Sequence, residues 1–115
     1  MELYDWDRLE REQMNARITR RAIHSAHMTI ARLEMQKGAT VAEHSHINEQ
    51  VTMVERGALK FFIEGREEIV RAGGVLAIPP NAPHAVEVLE DCVAVDVFSP
   101  PRDDWKRGDD AYLRR

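Results

Sequence analysis

The chain carries a single cysteine. Cys92 has no partner for an intrachain disulfide, and no cysteine zinc site can be assembled around it. It falls in an apolar run, where a small buried thiol is the plain expectation. No apolar stretch approaches membrane-spanning length. The start, Met1-Glu-Leu-Tyr-Asp-Trp6, lacks the basic-then-apolar layout of a signal peptide, so a cytoplasmic protein is expected. A basic surplus is missing too: the net charge is −4, and Arg and Lys are scattered apart from Arg20-Arg21 and Arg114-Arg115. Neither nucleic acid nor a membrane surface is therefore an expected partner. Internal repeats, low-complexity segments and long helical periods are all absent.

What remains is 115 residues, 43% of them hydrophobic, enough for one domain over 1–115 with a single core. Beyond residue 15 the sequence breaks into short β-like pieces. They are Arg17–His24, Met28–Gln36, Val41–His46, Gln50–Glu55, Ala58–Glu64, Glu67–Val70, Val75–Pro79, His84–Leu89 and Cys92–Phe98. Turn signals separate them at Lys37-Gly38, Arg56-Gly57, Glu64-Gly65, Ala72-Gly73-Gly74, Pro79-Pro80-Asn81 and Glu90-Asp91. Short strands at this spacing predict an all-β sandwich or barrel. Residues 1–15 have room for a short strand or helix. After Phe98, Ser99-Pro100-Pro101 stops the last strand, and one helical turn fits around Trp105.

Parity on the last strand is informative. Val93, Val95 and Val97 share one face and read as core, while Ala94, Asp96 and Phe98 share the other. An Asp between Ala and Phe is unusual; it is either buried with a partner or exposed in a cavity.

His44-Ser45-His46 sets two imidazoles on one face of a strand, about 7 Å apart along it. That is close enough for both to turn onto one metal ion at about 2.0–2.2 Å. Around the pair, Gly38 lies six residues before His44, Gln50 four after His46, and Gly57 seven after Gln50. A second block holds Gly73, Pro79, Asn81 and His84. His24 and His27 fit neither block and are expected to be surface or packing residues.

In these two blocks the sequence resembles the cupin superfamily, whose motifs read G-x5-H-x-H-x3/4-E-x6-G and G-x5-P-x-G-x2-H-x3-N. Gly38, His44, His46 and Gly57 match the first, with Gln50 at the usual Glu. Gly73, Pro79 and His84 match the second, with Asn81 for the second Gly and Val88 for the final Asn. Asn tolerates left-handed turn geometry, so that exchange is mild. The resemblance implies a single-domain jelly-roll barrel, a double-stranded β-helix. It also implies one divalent metal ion held by His44, His46, Gln50 and His84. Nickel, zinc, manganese, cobalt and iron(II) all suit such donors. Glu49 misses the family spacing, and in a strand it would face away from Gln50.

A closer resemblance lies in His44-Ser-His-Ile-Asn-Glu-Gln50-Val, Val54-Glu-Arg-Gly57 and Asp96-Val-Phe98-Ser-Pro-Pro-Arg102-Asp-Asp-Trp105. These segments are similar to the pectin-degradation cupins of the KdgF type, which convert 4,5-unsaturated uronate monosaccharides into the linear keto form. Asp96, Phe98 and Arg102 are thereby implied to line the pocket beside the metal and to act in catalysis. Ile47-Asn48 stands where those relatives often have Pro-His. The expected roles are proton transfer by Asp96, a bidentate clamp by Arg102 on a small anionic sugar acid, and packing of Phe98 on the sugar. Two other readings stay open: a dioxygenase or lyase acting on another small acid, and a non-catalytic sugar- or acid-binding cupin. A homodimer is expected from the apolar residues of the segment Tyr4–His24 (Tyr4, Trp6, Leu9, Ile18, Ile23).

Overall fold

Alternation decides where the strands form and which way they face. Along Thr29–Met35, buried and half-buried residues alternate at every position, with Thr29, Ala31, Leu33 and Met35 turned to the core. The computed structural model describes all 115 residues. A 3-10 turn at Trp6–Arg8 precedes eight strands: β1 (Glu12–Asn15), β2 (Ile18–His24), β3 (Thr29–Met35), β4 (Thr40–His44), β5 (Glu49–Ile63), β6 (Arg66–Arg71), β7 (Val75–Ile78) and β8 (His84–Ser99). The one-turn helix α1 (Asp103–Lys106) and a 3-10 turn at Ala111–Leu113 complete the chain. No helix is long and apolar enough to cross a membrane.

Two strands outrun the turn signals in the sequence. At Arg56-Gly57 and Glu90-Asp91, where turns are expected, β5 and β8 continue through bulges that shift their mutual register between Val54 and Leu59. A bulge bends a strand without ending its pairing. Gly57 has φ 83°, and a Cβ there would stand 2.1 Å from the Asp91 carbonyl oxygen. Only glycine lets the two backbones meet at this corner.

Bent in this way, β5 and β8 each serve two sheets. The C-terminal half of β8 lies between β3 and the N-terminal half of β5, with β2 and β1 beyond β3 and β7 beside β5. The N-terminal half of β8 lies between β4 and the C-terminal half of β5, with β6 outside. Every pairing is antiparallel, and the result is the all-β jelly-roll barrel expected of the sequence. Leu59, Phe61, Ile78, Val88 and Phe98 are fully buried inside it. Each such side chain stabilises the fold by about 1.5–3 kcal/mol.

The face assignment on β8 differs from the sequence expectation. Ala94, Asp96 and Phe98 point into the barrel, whereas on the other face Val93 is buried but Val95 and Val97 are only half-buried. Both faces of this strand are apolar, so alternation alone did not separate inside from outside. The tail packs more deeply than one turn around Trp105 suggests. Asp110 is buried against Arg20, with Arg20 Nη2 donating to Asp110 Oδ2 at 2.9 Å. The Arg20 guanidinium also lies 4.3 Å from the centre of the Trp105 ring. Asn15 donates to the carbonyls of Leu113 and Arg115, tying the last residues to β1.

Candidate metal centre

Strand pairing brings the histidines together. His44 ends β4 opposite His84, which opens β8. His46 lies beyond the end of β4, not on the same strand face as His44. Its loop is folded back by two hydrogen bonds: Asn81 N–H donates to the His46 carbonyl at 2.8 Å, and the His46 ring donates from Nδ1 to the Asn48 carbonyl at 3.0 Å. Asn81 takes the left-handed conformation (φ 67°) that the glycine of the usual motif would supply. The ligand atoms of His44, His46 and His84 all lie within 4.8 Å of one another.

The free nitrogens of these rings are set by their outer hydrogen bonds. His44 Nδ1 meets Ala42 O at 2.9 Å and His84 Nδ1 meets Ala82 O at 2.9 Å, as His46 meets Asn48. A carbonyl can only accept, so each Nδ1 carries the proton and each Nε2 keeps a lone pair. His84 Nε2 is buried with no hydrogen-bond partner at all. His46 Nε2 faces Gln50 Oε1 at 3.1 Å, two acceptors looking at one another. Orphaned and opposed lone pairs of this kind are what a cation satisfies, and three imidazoles with an amide oxygen are a suitable donor set for a divalent metal ion. Burial pushes His44 and His46 down to about 4, and His84 also downward, so the imidazoles are neutral at pH 7 and ready to ligate.

Gln50, second in β5, pairs with Phe98 and Ile78. Its Nε2 donates to Thr52 Oγ1 at 3.0 Å, and Thr52 donates to Asp96 Oδ1 at 2.6 Å. Burial raises Asp96 to about 6, with the Thr52 hydrogen bond and Arg102 acting in the opposite direction. Asp96, Phe98 and Arg102 line the same cavity as His44, Gln50 and His84, a space of about 50 Å³.

Arg102 is fully buried. Its guanidinium carbon lies 4.7 Å from the Phe98 ring centre and 4.4 Å from that of Trp105. Nε and Nη2 form a fork on Asp104 at 2.9 and 2.8 Å, and Nη2 also donates to the Tyr112 hydroxyl. The bidentate clamp expected of Arg102 is therefore already closed on Asp104, which leaves Nη1 as the nitrogen without a protein partner. Burial alone would raise Asp104; the Arg102 fork outweighs it and holds the carboxyl below its ordinary range.

His24 meets Thr29 Oγ1 at 2.8 Å and His27 is exposed; neither belongs to the cluster. Three participants were not anticipated from the sequence: Thr52, Tyr112 and the deep seat of Trp105. Tyr112 and Trp105 had a signal, since aromatics make up only 6% of the chain and two of them stand in a charged tail. Thr52 had none.

An antiparallel barrel of this topology with three converging histidines at one end is a metal-binding cupin. The chain belongs to the cupin family, whose cupin-domain pattern matches residues 31–98. Among solved structures it is similar to KdgF from Halomonas sp., at 25% identity and a TM-score of 0.84, covering 90% of this chain and 99% of that one. An RmlC-like cupin from Shewanella frigidimarina gives the same TM-score at 23% identity, covering 91% and 96%. Oxalate decarboxylase from Bacillus subtilis shares the fold at 18% identity and a TM-score of 0.75, over 84% of this chain and 29% of that one. Acireductone dioxygenase 1 of Pectobacterium atrosepticum is 29% identical over 65% of this chain, which spans 59% of that protein.

Proposed function

We propose that this protein is a metal-dependent enzyme that converts 4,5-unsaturated uronate monosaccharides into their linear keto form. The observation that carries this reading is the meeting in one cavity of His44 and His84 with Asp96, Phe98 and Arg102, while His46 converges on the same two imidazoles. The likeness to KdgF over nearly its whole length supports it.

The substrate is an enol ether bearing a carboxylate. A proton must reach C4 and water must add at C5; the C5–O5 bond of the resulting hemiketal then breaks to give the ketone. C1 is left as an aldehyde hydrate and loses water, so the net change is an isomerisation. Asp96 holds its Oδ1 against Thr52, leaving Oδ2 to deliver the proton to C4. Arg102 Nη1 meets the substrate carboxylate as a single charge-assisted donor. Phe98 packs on the apolar face of the ring. A divalent metal bound by the three histidines and Gln50 supplies Lewis acidity toward the carboxylate or a water.

The test is the loss of the alkene's ultraviolet absorbance in unsaturated galacturonate and guluronate, with metal-loaded and chelated protein. Metal-dependent acceleration over spontaneous opening is expected, together with its loss in His44→Ala. No acceleration in any metal state removes the reading. The likeness to acireductone dioxygenase 1 supports a second, oxygen-using reading. Gln50 stands against it where many such centres use a carboxylate, and oxygen uptake by iron-loaded protein decides the matter. Tight binding of a uronate without product would instead favour a non-catalytic binder.

The homodimer belongs to the same proposal. β1 ends the strand order with one edge unpaired, and Leu3 and Tyr4 are exposed just before it. Sedimentation showing only a 13.2 kDa particle at micromolar concentration removes it.

A further inference from the structure

We infer that Thr52 is a positioning residue that sets which end of the Gln50 amide faces the metal centre, and that it does so through Asp96. This rests on the metal-binding reading of the site, though not on the uronate substrate.

A threonine hydroxyl has one hydrogen to give and two lone pairs to accept with. Thr52 Oγ1 is 2.6 Å from Asp96 Oδ1, and its hydrogen goes there. Its contact with Gln50, at 3.0 Å, must then be one in which Thr52 accepts. Only the NH2 end of Gln50 can donate, so that end is turned to Thr52 and Oε1 is turned to His46 Nε2. Turned over, the amide would present two N–H groups to the centre, where a metal ion needs a lone pair. Thr52 is 1% exposed and Gln50 6% exposed, so water does not compete for these contacts. All three groups sit on neighbouring strands at fixed register: Thr52 faces Asp96 across β5 and β8, and Gln50 lies two residues back on the same face. Asp96 therefore acts on the metal site through Thr52 and Gln50. Its carboxylate accepts the threonine hydrogen bond, and the amide has one satisfied orientation left.

A glutamate ligand would need no such device, because its two oxygens are equivalent. That difference supplies the test, read as metal affinity by competition with a chromophoric chelator, using zinc and nickel as probes. Thr52→Val keeps the shape and removes the hydroxyl; it is expected to weaken metal binding by about 10–100-fold, the usual effect of losing an outer-shell partner. Thr52→Ser is expected to stay close to wild type. In a Gln50→Glu background the same Thr52→Val change is expected to cost less than about 3-fold, since orientation no longer matters. Equal losses in both backgrounds would show a merely structural role and overturn the inference, as would an unchanged affinity in Thr52→Val alone. Should Thr52→Val fail to fold, Asp96→Asn takes its place: the carboxamide can donate to Thr52 and release the Gln50 amide. Weakened metal binding is then expected, and unchanged binding overturns the inference. Failure of the wild-type protein to bind either metal would count against the metal centre itself, a separate result.

Discussion

Tyr112 lies flat on His44, with ring centres 4.1 Å apart and planes inclined by 18°. The contact joins the last turn of the chain to the end of β4 and closes the barrel over the metal centre. The Tyr112 hydroxyl accepts from Trp105 Nε1 at 2.9 Å and from Arg102 Nη2. One side chain thus seats a histidine of the centre with its ring and the buried arginine with its hydroxyl.

These two functions separate by substitution. Tyr112→Phe keeps the ring on His44 and removes only the acceptor, so metal affinity should stay within a few-fold of wild type while the Arg102 and Trp105 donors lose a partner. Tyr112→Ala removes both, and metal affinity should fall by about 10-fold as His44 loses its support. Its stability should drop by about 3–5 kcal/mol. Chelator competition and thermal melts read the two effects separately.

His84 gives the clearest sign of a donor set built for a cation, since its Nε2 is buried and unpartnered. Saturating divalent metal should therefore raise the melting temperature, with about 2.7 kcal/mol of stabilisation when free metal is 100 times the dissociation constant. In His84→Ala the same addition should shift the melt far less. A wild-type melt that ignores both metal and chelator would contradict the donor geometry.

The metal centre was legible because its residues sit in short segments with fixed spacing. His44, His46 and Gln50 fall within seven residues, and His84 stands in a second block with Pro79 and Asn81. The β class was equally legible from short apolar runs. What escaped has physical reasons. Arg56-Gly57 and Glu90-Asp91 look like turns, yet the same residues serve a bulge when the strands on either side stay paired. The valine face of β8 reads as core in the sequence because a strand with apolar residues on both sides carries no alternation that separates inside from outside. Thr52 is one polar residue in a strand, and its importance comes from a pairing with Asp96 that no local pattern records. Arg102 was identified, but its occupation by Asp104 depends on the tail folding back.

The anchor of that tail is acid-labile. Burial alone would raise Asp110, but hydrogen bonds from Arg114 and Arg20 outweigh it and hold the carboxyl below its ordinary range. A depressed folded-state value means that the stabilisation is full above the unfolded pKa near 4 and is lost as pH falls through the folded value. Asp110→Asn should destabilise the protein by about 3 kcal/mol at neutral pH, because Arg20 is then left buried with a weakened partner set. The gap between variant and wild type should narrow below about pH 4, as the wild-type carboxyl takes up its proton. Denaturant melts across that range measure it; a gap that stays constant would place the destabilisation elsewhere.

The corner at Gly57 can be tested against a glycine of the same conformation in open space. Gly57 and Gly65 have φ 83° and 75°. A methyl group at Gly65 would meet nothing within 4 Å, whereas at Gly57 it would overlap the Asp91 carbonyl at 2.1 Å. Gly65→Ala should therefore cost only the left-handed backbone penalty, about 1–2 kcal/mol. Gly57→Ala carries the same penalty plus a clash between two backbones that cannot part without breaking the register of β5 and β8. Its loss of stability should be clearly the larger of the two. Because Gln50 and His84 stand at the far ends of those strands, metal affinity should fall in Gly57→Ala and hold in Gly65→Ala. Equal effects of the two substitutions on stability and metal affinity would mean that the bulge does not set the spacing of the metal centre.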